Sequence, residues 1–261
     1  MVEIQWTGGR TGNKLFEYVF ARLLALKNDL KLMTEWPDQD FLKSTPHAHG
    51  QVHHEPVVRV IDTYHKQHNR EWFQEDYEKK HLIIHGFFQN AKYYNNKKEI
   101  IKKFFILPPI DKRPPTDVVI HYRLKDYYDV GPRDQRGKVR TGSVIDPSWH
   151  SRILSSILHH NKHKQQLYIV TDDPTDPILT MLSVYNPIIV SNSPAEDFRF
   201  IMNFDTILCG NSSFSWFAAF FSEATKIFTF SRWINDQHNK IVRLAEMRGA
   251  SMQQGSWYKN K

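Results

Sequence analysis

The sequence predicts an α/β fold with a parallel, doubly wound sheet, divided between two domains. Three observations carry this reading. Short apolar runs alternate with helix-length amphipathic segments through the second half of the chain. The chain opens on a strand, a Gly-rich turn and a helix. Between the halves, Leu107-Pro108-Pro109-Ile110-Asp111-Lys112-Arg113-Pro114-Pro115 holds four prolines in nine residues. Such a segment continues neither a helix nor a central strand, so it reads as a linker.

In order, Val2 to Trp6 is a short strand and Thr7-Gly8-Gly9-Arg10-Thr11-Gly12-Asn13 the turn. Leu15, Phe16, Val19, Phe20, Leu23 and Leu24 then recur on one helical face. From Trp36 to about Thr63 the periodicity fades, and loops with short elements are expected. Leu82 to Phe88 reads as a buried strand and Ala91 to Phe105 as a helix with a polar face of Lys97, Lys98, Lys102 and Lys103. Beyond the linker, Val118 to Tyr122 is a strand. Asp146-Pro147 caps a helix whose buried face is Ile153, Leu154, Ile157 and Leu158. Leu167 to Thr171 is a strand, Asp176-Pro177 opens a short helix, and Ile188 to Val190 is a strand. Ser193-Pro194-Ala195-Glu196 is a capping box. Thr206 to Cys209 is a strand, Ser213 to Ser222 a helix, and Lys226 to Phe230 a strand.

Composition narrows the class. The 261 residues are 40% hydrophobic, 13% aromatic and 24% charged, which is enough apolar material for a core and excludes a largely disordered chain. A single cysteine, Cys209, excludes an internal disulfide and a Cys-based zinc site. No apolar run approaches the roughly 20 residues that span a bilayer, and no leader opens the chain, so a soluble, cytoplasmic protein is expected. The net charge of +7 favours an anionic partner without choosing among nucleic acid, anionic lipid and a phosphate-bearing small molecule.

In an open parallel sheet, ligands bind beyond the carboxyl ends of the strands. Three strand-to-helix turns carry chemistry there. Gly8 to Asn13 lets a backbone come close to a ligand, or is simply a tight turn; it lacks the dinucleotide fingerprint. Asn211-Ser212-Ser213-Phe214-Ser215-Trp216 offers hydroxyls and amides to a phosphate, or is an ordinary Ser cap. His121-Tyr122-Arg123-Leu124-Lys125-Asp126 can serve an anion and a base, or is a solvated strand end. His47, His49, His53 and His54 lie in a stretch without helical register, so no metal site is expected from them. The Lys97 to Lys103 run reads as a solvated helix face, since no nucleic-acid motif accompanies it.

Together these segments resemble the fucosyltransferase motifs, in particular glycosyltransferase family 11, the α-1,2-fucosyltransferases. Gly8 to Tyr18 resembles that family's GGLGNQMFQY. Gly86-Phe87-Phe88-Gln89-Asn90-Ala91-Lys92-Tyr93-Tyr94 resembles its G-Y-F-Q-x-x-x-Y-F segment. His121 to Asp126 resembles the HxRRxD motif shared with α-1,6- and protein O-fucosyltransferases. Asn211 to Trp216 resembles NSSFSWW, and Asp197 stands fifteen residues before Ser212 as an aspartate does in relatives. The likeness runs from residue 8 to about residue 233. Leu124 replaces the second Arg of HxRRxD, Lys125 the residue after it, Phe217 the last Trp of NSSFSWW, and Lys14 and Glu17 stand where relatives usually have Gln.

The resemblance implies a GT-B-like fold of two Rossmann-like domains with the donor site in the cleft: 1–107 on the acceptor side, 116–261 binding a GDP-sugar. It implies an inverting, metal-independent glycosyltransferase that moves L-fucose from GDP-β-L-fucose to a hydroxyl of a carbohydrate acceptor, in α-1,2 linkage. No cofactor and no metal are implied, and no nucleic acid. Having no anchor, the chain is expected to be of the soluble microbial or viral type. Arg123 is expected on the β-phosphate, because guanidinium pairs bidentately with phosphate oxygens. Ser212, Ser213 and Ser215, with Asn211 and Phe214, are expected around the pyrophosphate, and Asp197 on guanine with His121 nearby. Gly9, Arg10, Gly12 and Asn13 complete the donor set. Asp126 and Asp129 are candidate bases. An idle GDP-sugar-binding protein and a transferase for another GDP-deoxysugar remain as alternatives, as does a nucleic-acid binder resting on charge alone.

Overall fold

The structure, a computed structural model, describes residues 1–47, 49–62, 71–90, 93, 94, 96–129, 144–158 and 165–229. They fall into two compact units, Met1–Pro108 and the described chain from Pro109 on.

The first unit holds three parallel strands in the order β1-β3-β2: β1 is Val2–Ile4, β2 Val57–Asp62 and β3 His81–Gly86. Helix α1, Thr11–Lys27, starts three residues earlier than expected, so Thr11, Gly12 and Asn13 lie in its first turn. It is not a one-faced helix either. Every residue from Leu15 to Ala25 is buried, Glu17 and Arg22 included. Aromatic rings fill the space around it. Phe20 stacks on Phe88 with centroids 3.9 Å apart, and Phe16 meets Tyr94 at 5.4 Å. Among the described residues no carboxylate pairs with the buried Arg22 guanidinium. Nη1 donates to the carbonyls of Thr45 and Phe104, both at 2.9 Å. Nη2 donates to Thr45 Oγ1 at 2.9 Å and to the Pro46 carbonyl at 3.2 Å.

The stretch read as loops with short elements contains the strand β2, whose six residues pair with β3 in parallel register from Val57↔His81 to Asp62↔Gly86. As a sheet edge it buries only Val60 fully, which is why Arg59 and Asp62 interrupt its apolar run. One expectation fails here: the helix expected over 91–105 is the short α2, Lys98–Lys102. Asn96 adopts a left-handed φ of 58°, which ends any earlier helical run. Ala91 and Lys92 lie outside the described residues.

The second unit is a five-stranded, all-parallel sheet in the order β6-β5-β4-β7-β8: β4 Val118–Tyr122, β5 Leu167–Thr171, β6 Ile188–Val190, β7 Thr206–Leu208 and β8 Lys226–Phe228. Residue 230, where the last strand was expected to end, lies outside the described residues. Helices α3 (Pro147–Leu158), α4 (Pro194–Met202) and α5 (Ser213–Phe221) connect the strands, with a 3-10 helix over Pro177–Tyr185. The capping box on α4 forms: Ser193 Oγ accepts from the Glu196 N–H while Glu196 accepts from the Ser193 N–H. All five residues of β4 are buried, as a central parallel strand requires. From β4 the chain builds β5 and β6 on one side, and β7 with β8 on the other. The strand order therefore reverses at the β4/β7 pair, the position where open α/β sheets place ligands. Among the described residues no helix is long and apolar enough to cross a membrane.

Candidate functional site

The carboxyl ends of β4 and β7 bring His121 beside the Gly210-to-Ser215 turn, and Arg123 follows His121 two residues on. A Cβ on Gly210 would lie 2.5 Å from the His121 carbonyl oxygen and 3.0 Å from its Nδ1, so only glycine allows this approach. The His121 ring stacks on Phe214, centroids 5.2 Å apart. Phe214 in turn meets Phe198 edge-on at 5.4 Å, which joins α5 to the helix carrying Asp197. Burial, helped by the Arg123 charge, pushes the His121 pKa down to about 3, so its imidazole is neutral at working pH. Its Nδ1 is buried without a hydrogen-bond partner among the described residues.

Arg123 is half-buried and held from two sides. Its Nε donates to Asp126 Oδ1 at 3.0 Å and its Nη2 to Asp126 Oδ2 at 2.5 Å, while the guanidinium lies 4.4 Å over the Tyr127 ring. Burial alone would lower its pKa; the Asp126 bonds and the neighbouring Tyr127 and Asp172 outweigh that and raise it. Asp126 thus serves as the arginine's partner. Asp129 is exposed at the end of the same 3-10 turn, Lys125–Tyr128. Leu124 points into the core of the second unit, and its N–H donates to Asp172 Oδ1 at 2.7 Å. Asp172, from the end of β5, so anchors the turn that carries Arg123. Sequence reasoning missed it, although a carboxylate at a strand's carboxyl end was a usable signal.

At the start of α5, Ser212 is the N-cap, its Oγ accepting from the Phe214 N–H at 3.3 Å. Ser212 is itself fully buried. Ser215 instead donates its proton to the carbonyls of Gly210 and Ser212, at 3.4 and 3.2 Å, and shapes the turn. Ser213 opens the helix and is buried, and Asn211 is half-buried before it. Asp197 lies one turn into α4 with 7% exposure; its Oδ1 accepts from the backbone N–H of Asn192 at 3.1 Å and from Asn192 Nδ2 at 3.2 Å. Burial pushes its pKa up, the two Asn192 donors pull it back, and Glu196 adds to the rise.

The Gly-rich turn belongs to the first unit. Gly8 and Gly9 take φ of 84° and 90°, the left-handed region that favours glycine, and a Cβ on Gly9 would sit 2.7 Å from Asn13 Nδ2. Arg10, exposed, is the residue before α1, and Gly12 is buried within it. Asn13 Oδ1 accepts from Gln89 Nε2 at 2.9 Å, which ties the turn to the segment after β3. Gln89 is a second residue that sequence reasoning left out of the site.

At the turn's other end Glu17 accepts from the Thr7 backbone N–H at 3.1 Å and from the Thr7 hydroxyl. Burial pushes its pKa up to about 7, against the lowering effect of the Thr7 bonds, His85 and Lys14. An unfolded chain releases this proton near 4.5. Between those pH values the folded state holds the proton and the unfolded chain does not, so stability falls as pH rises through that window, by about 3 kcal/mol from this group. Glu17→Gln is expected to remove that fall and to raise the melting temperature at pH 8. Melting curves at pH 4.5 and 8 decide it: an unchanged pH dependence in the variant assigns the fall to other groups.

No protein-family model and no curated protein sequence matches the chain. Among solved structures it is similar to a mutant of Arabidopsis thaliana FUT1 in complex with GDP, at 11% identity and a TM-score of 0.52, covering 90% of this chain and 71% of that one. It is also similar to POFUT1 in complex with GDP, at 11% identity and a TM-score of 0.45, covering 88% of this chain and 98% of that one. The likeness to FUT1 shows a shared α/β fold with parallel sheets.

Proposed function

We propose that the chain is a glycosyltransferase with a GDP-sugar donor, moving L-fucose from GDP-β-L-fucose to a hydroxyl of an acceptor glycan with inversion, in α-1,2 linkage, on a GT-B-like fold. One observation carries the reading: the strand-order reversal puts His121, the Asp126-braced Arg123 and the Ser212-capped helix start at the carboxyl end of the sheet's central strands, with Asp197 joined to His121 through Phe198 and Phe214. The fold shared with GDP-complexed FUT1 supports it.

In this reading the acceptor oxygen attacks C1 of the sugar while the C1–O bond to the β-phosphate breaks, and GDP leaves with the electron pair. Arg123 and the start of α5, with Ser212 and Ser213, stabilise the charge that develops on the phosphate. Those groups supply the positive field, so no metal is required. Asp126 holds Arg123 in place, and Asp129 takes the acceptor's proton. Asp197 reads guanine beside the neutral His121, and Gly9, Arg10, Gly12 and Asn13 complete the donor contacts.

Incubation with GDP-fucose and a panel of acceptor sugars, followed by mass spectrometry, tests this directly. An acceptor gaining one deoxyhexose, with EDTA present, is the expected product. Tight GDP binding without transfer would make the chain a binding protein, and activity lost in EDTA but restored by Mn²⁺ would overturn the metal-independent mechanism.

A further inference from the structure

On the GDP-sugar reading above, the presentation of the Asp197 carboxylate decides which base it accepts from. A carboxylate has two equivalent oxygens, each with about two acceptor positions. Here they are made unequal. Oδ1 accepts from both the backbone N–H and the side-chain amide of one residue, Asn192, at 3.1 and 3.2 Å. Among the described residues no hydrogen bond reaches Oδ2. Asn192 itself is exposed in the connection between β6 and α4, immediately ahead of the Ser193 cap that anchors the helix. We propose that Asn192 is a specificity-determining positioning residue: it fills Oδ1 with two N–H donors, fixes the rotation of the Asp197 carboxylate, and leaves Oδ2 as the acceptor for the N1–H of a guanine. The same donors favour the ionised carboxylate against its burial, which keeps Oδ2 an acceptor.

Guanine and hypoxanthine both carry a proton on N1; adenine presents a lone pair there, which a carboxylate oxygen repels. With one open oxygen, Asp197 should read N1–H and be nearly blind to the exocyclic amino group. Calorimetry on the full chain with GDP, IDP and ADP tests this. The wild type is expected to bind IDP within about threefold of GDP, and ADP at least tenfold more weakly. Asn192→Ala should lower the GDP-over-ADP preference by about tenfold with an unchanged melting temperature, and Asn192→Asp, whose carboxylate repels Asp197, by more. In an Asp197→Ala background Asn192→Ala should cause no further loss, because Asn192 acts through that carboxylate. An Asn192→Ala variant that keeps the wild-type preference overturns the proposal while the GDP-sugar reading stands, and so does IDP binding as weakly as ADP. A wild type without any preference for GDP over ADP overturns the GDP-sugar reading itself.

Discussion

Arg123→Lys is expected to lower turnover by on the order of a hundredfold or more while GDP affinity falls far less. Lysine keeps one positive charge but loses the planar fork that spans two oxygens at once. In this chain the fork has a second task. Nε and Nη2 are committed to Asp126 and the guanidinium face to Tyr127, so the arginine stands braced before any ligand arrives. An ammonium cannot satisfy Asp126 bidentately and face a phosphate as well, and the preorganisation goes with it. The loss should fall on kcat, since the contact strengthens as charge moves onto the leaving phosphate. Steady-state kinetics beside GDP calorimetry separate the two. A variant with near-normal kcat would move the phosphate contact to another cation, Lys125 being the nearest along the chain.

The largest effect on stability is expected from Arg22→Ala, a loss of about 3–5 kcal/mol. The guanidinium is the shared donor for the Thr45, Pro46 and Phe104 carbonyls and for the Thr45 hydroxyl. Removing it withdraws a donor from the buried Phe104 carbonyl, which keeps the Thr45 N–H, and from the part-buried Thr45 and Pro46 acceptors, at about 1–3 kcal/mol for each one shut off from water, and empties the face of Phe104, over which the guanidinium lies at 4.5 Å. Denaturant unfolding measures this directly. A loss below 1 kcal/mol would mean that water replaces the guanidinium. Burial lowers the Arg22 pKa, yet arginine stays charged at any working pH, so the effect should not depend on pH.

Much of the second unit is legible in the sequence because its signals are local. Val118 to Tyr122 is an unbroken β-rich run since a central parallel strand is covered on both faces, and Ser193 with Glu196 writes the capping box in four residues. The Gly-rich turn and the Ser212 cap are legible for the same reason. What escaped depends on partners far along the chain. Strand β2 is an edge with one fully buried residue, so its pattern carries little of the period that marks a strand. Gln89 reaches Asn13 across 76 residues and Asp172 reaches Leu124 across 48, and no spacing rule connects them. Asp126 illustrates a different limit. Its distance of three residues from Arg123 was visible, but whether a carboxylate acts as a base or as an arginine's partner is decided by the fold of the 3-10 turn between them. The change to Leu124 is likewise intelligible only in three dimensions, where its side chain belongs to the core behind β4.

The pairing of β4 with β7 has a consequence for how the protein is made. On the ribosome β4 emerges long before Thr206, and only its β5 flank can be zipped early, from Val118↔Leu167 to Tyr122↔Thr171. The other flank, an apolar strand edge with its hydrogen-bonding groups open, waits for β7, several seconds at synthesis rates of about 5–20 residues per second. During that interval the nascent chain displays the seam that the finished molecule hides most completely, and it is there that a chaperone would find a grip or a second nascent chain a wrong partner. His121 and Arg123 are already present in that intermediate, but Gly210 and the Ser212 cap are not. A nucleotide that needs both edges would bind only after the seam closes, so its presence during refolding should draw the chain out of the intermediate by mass action.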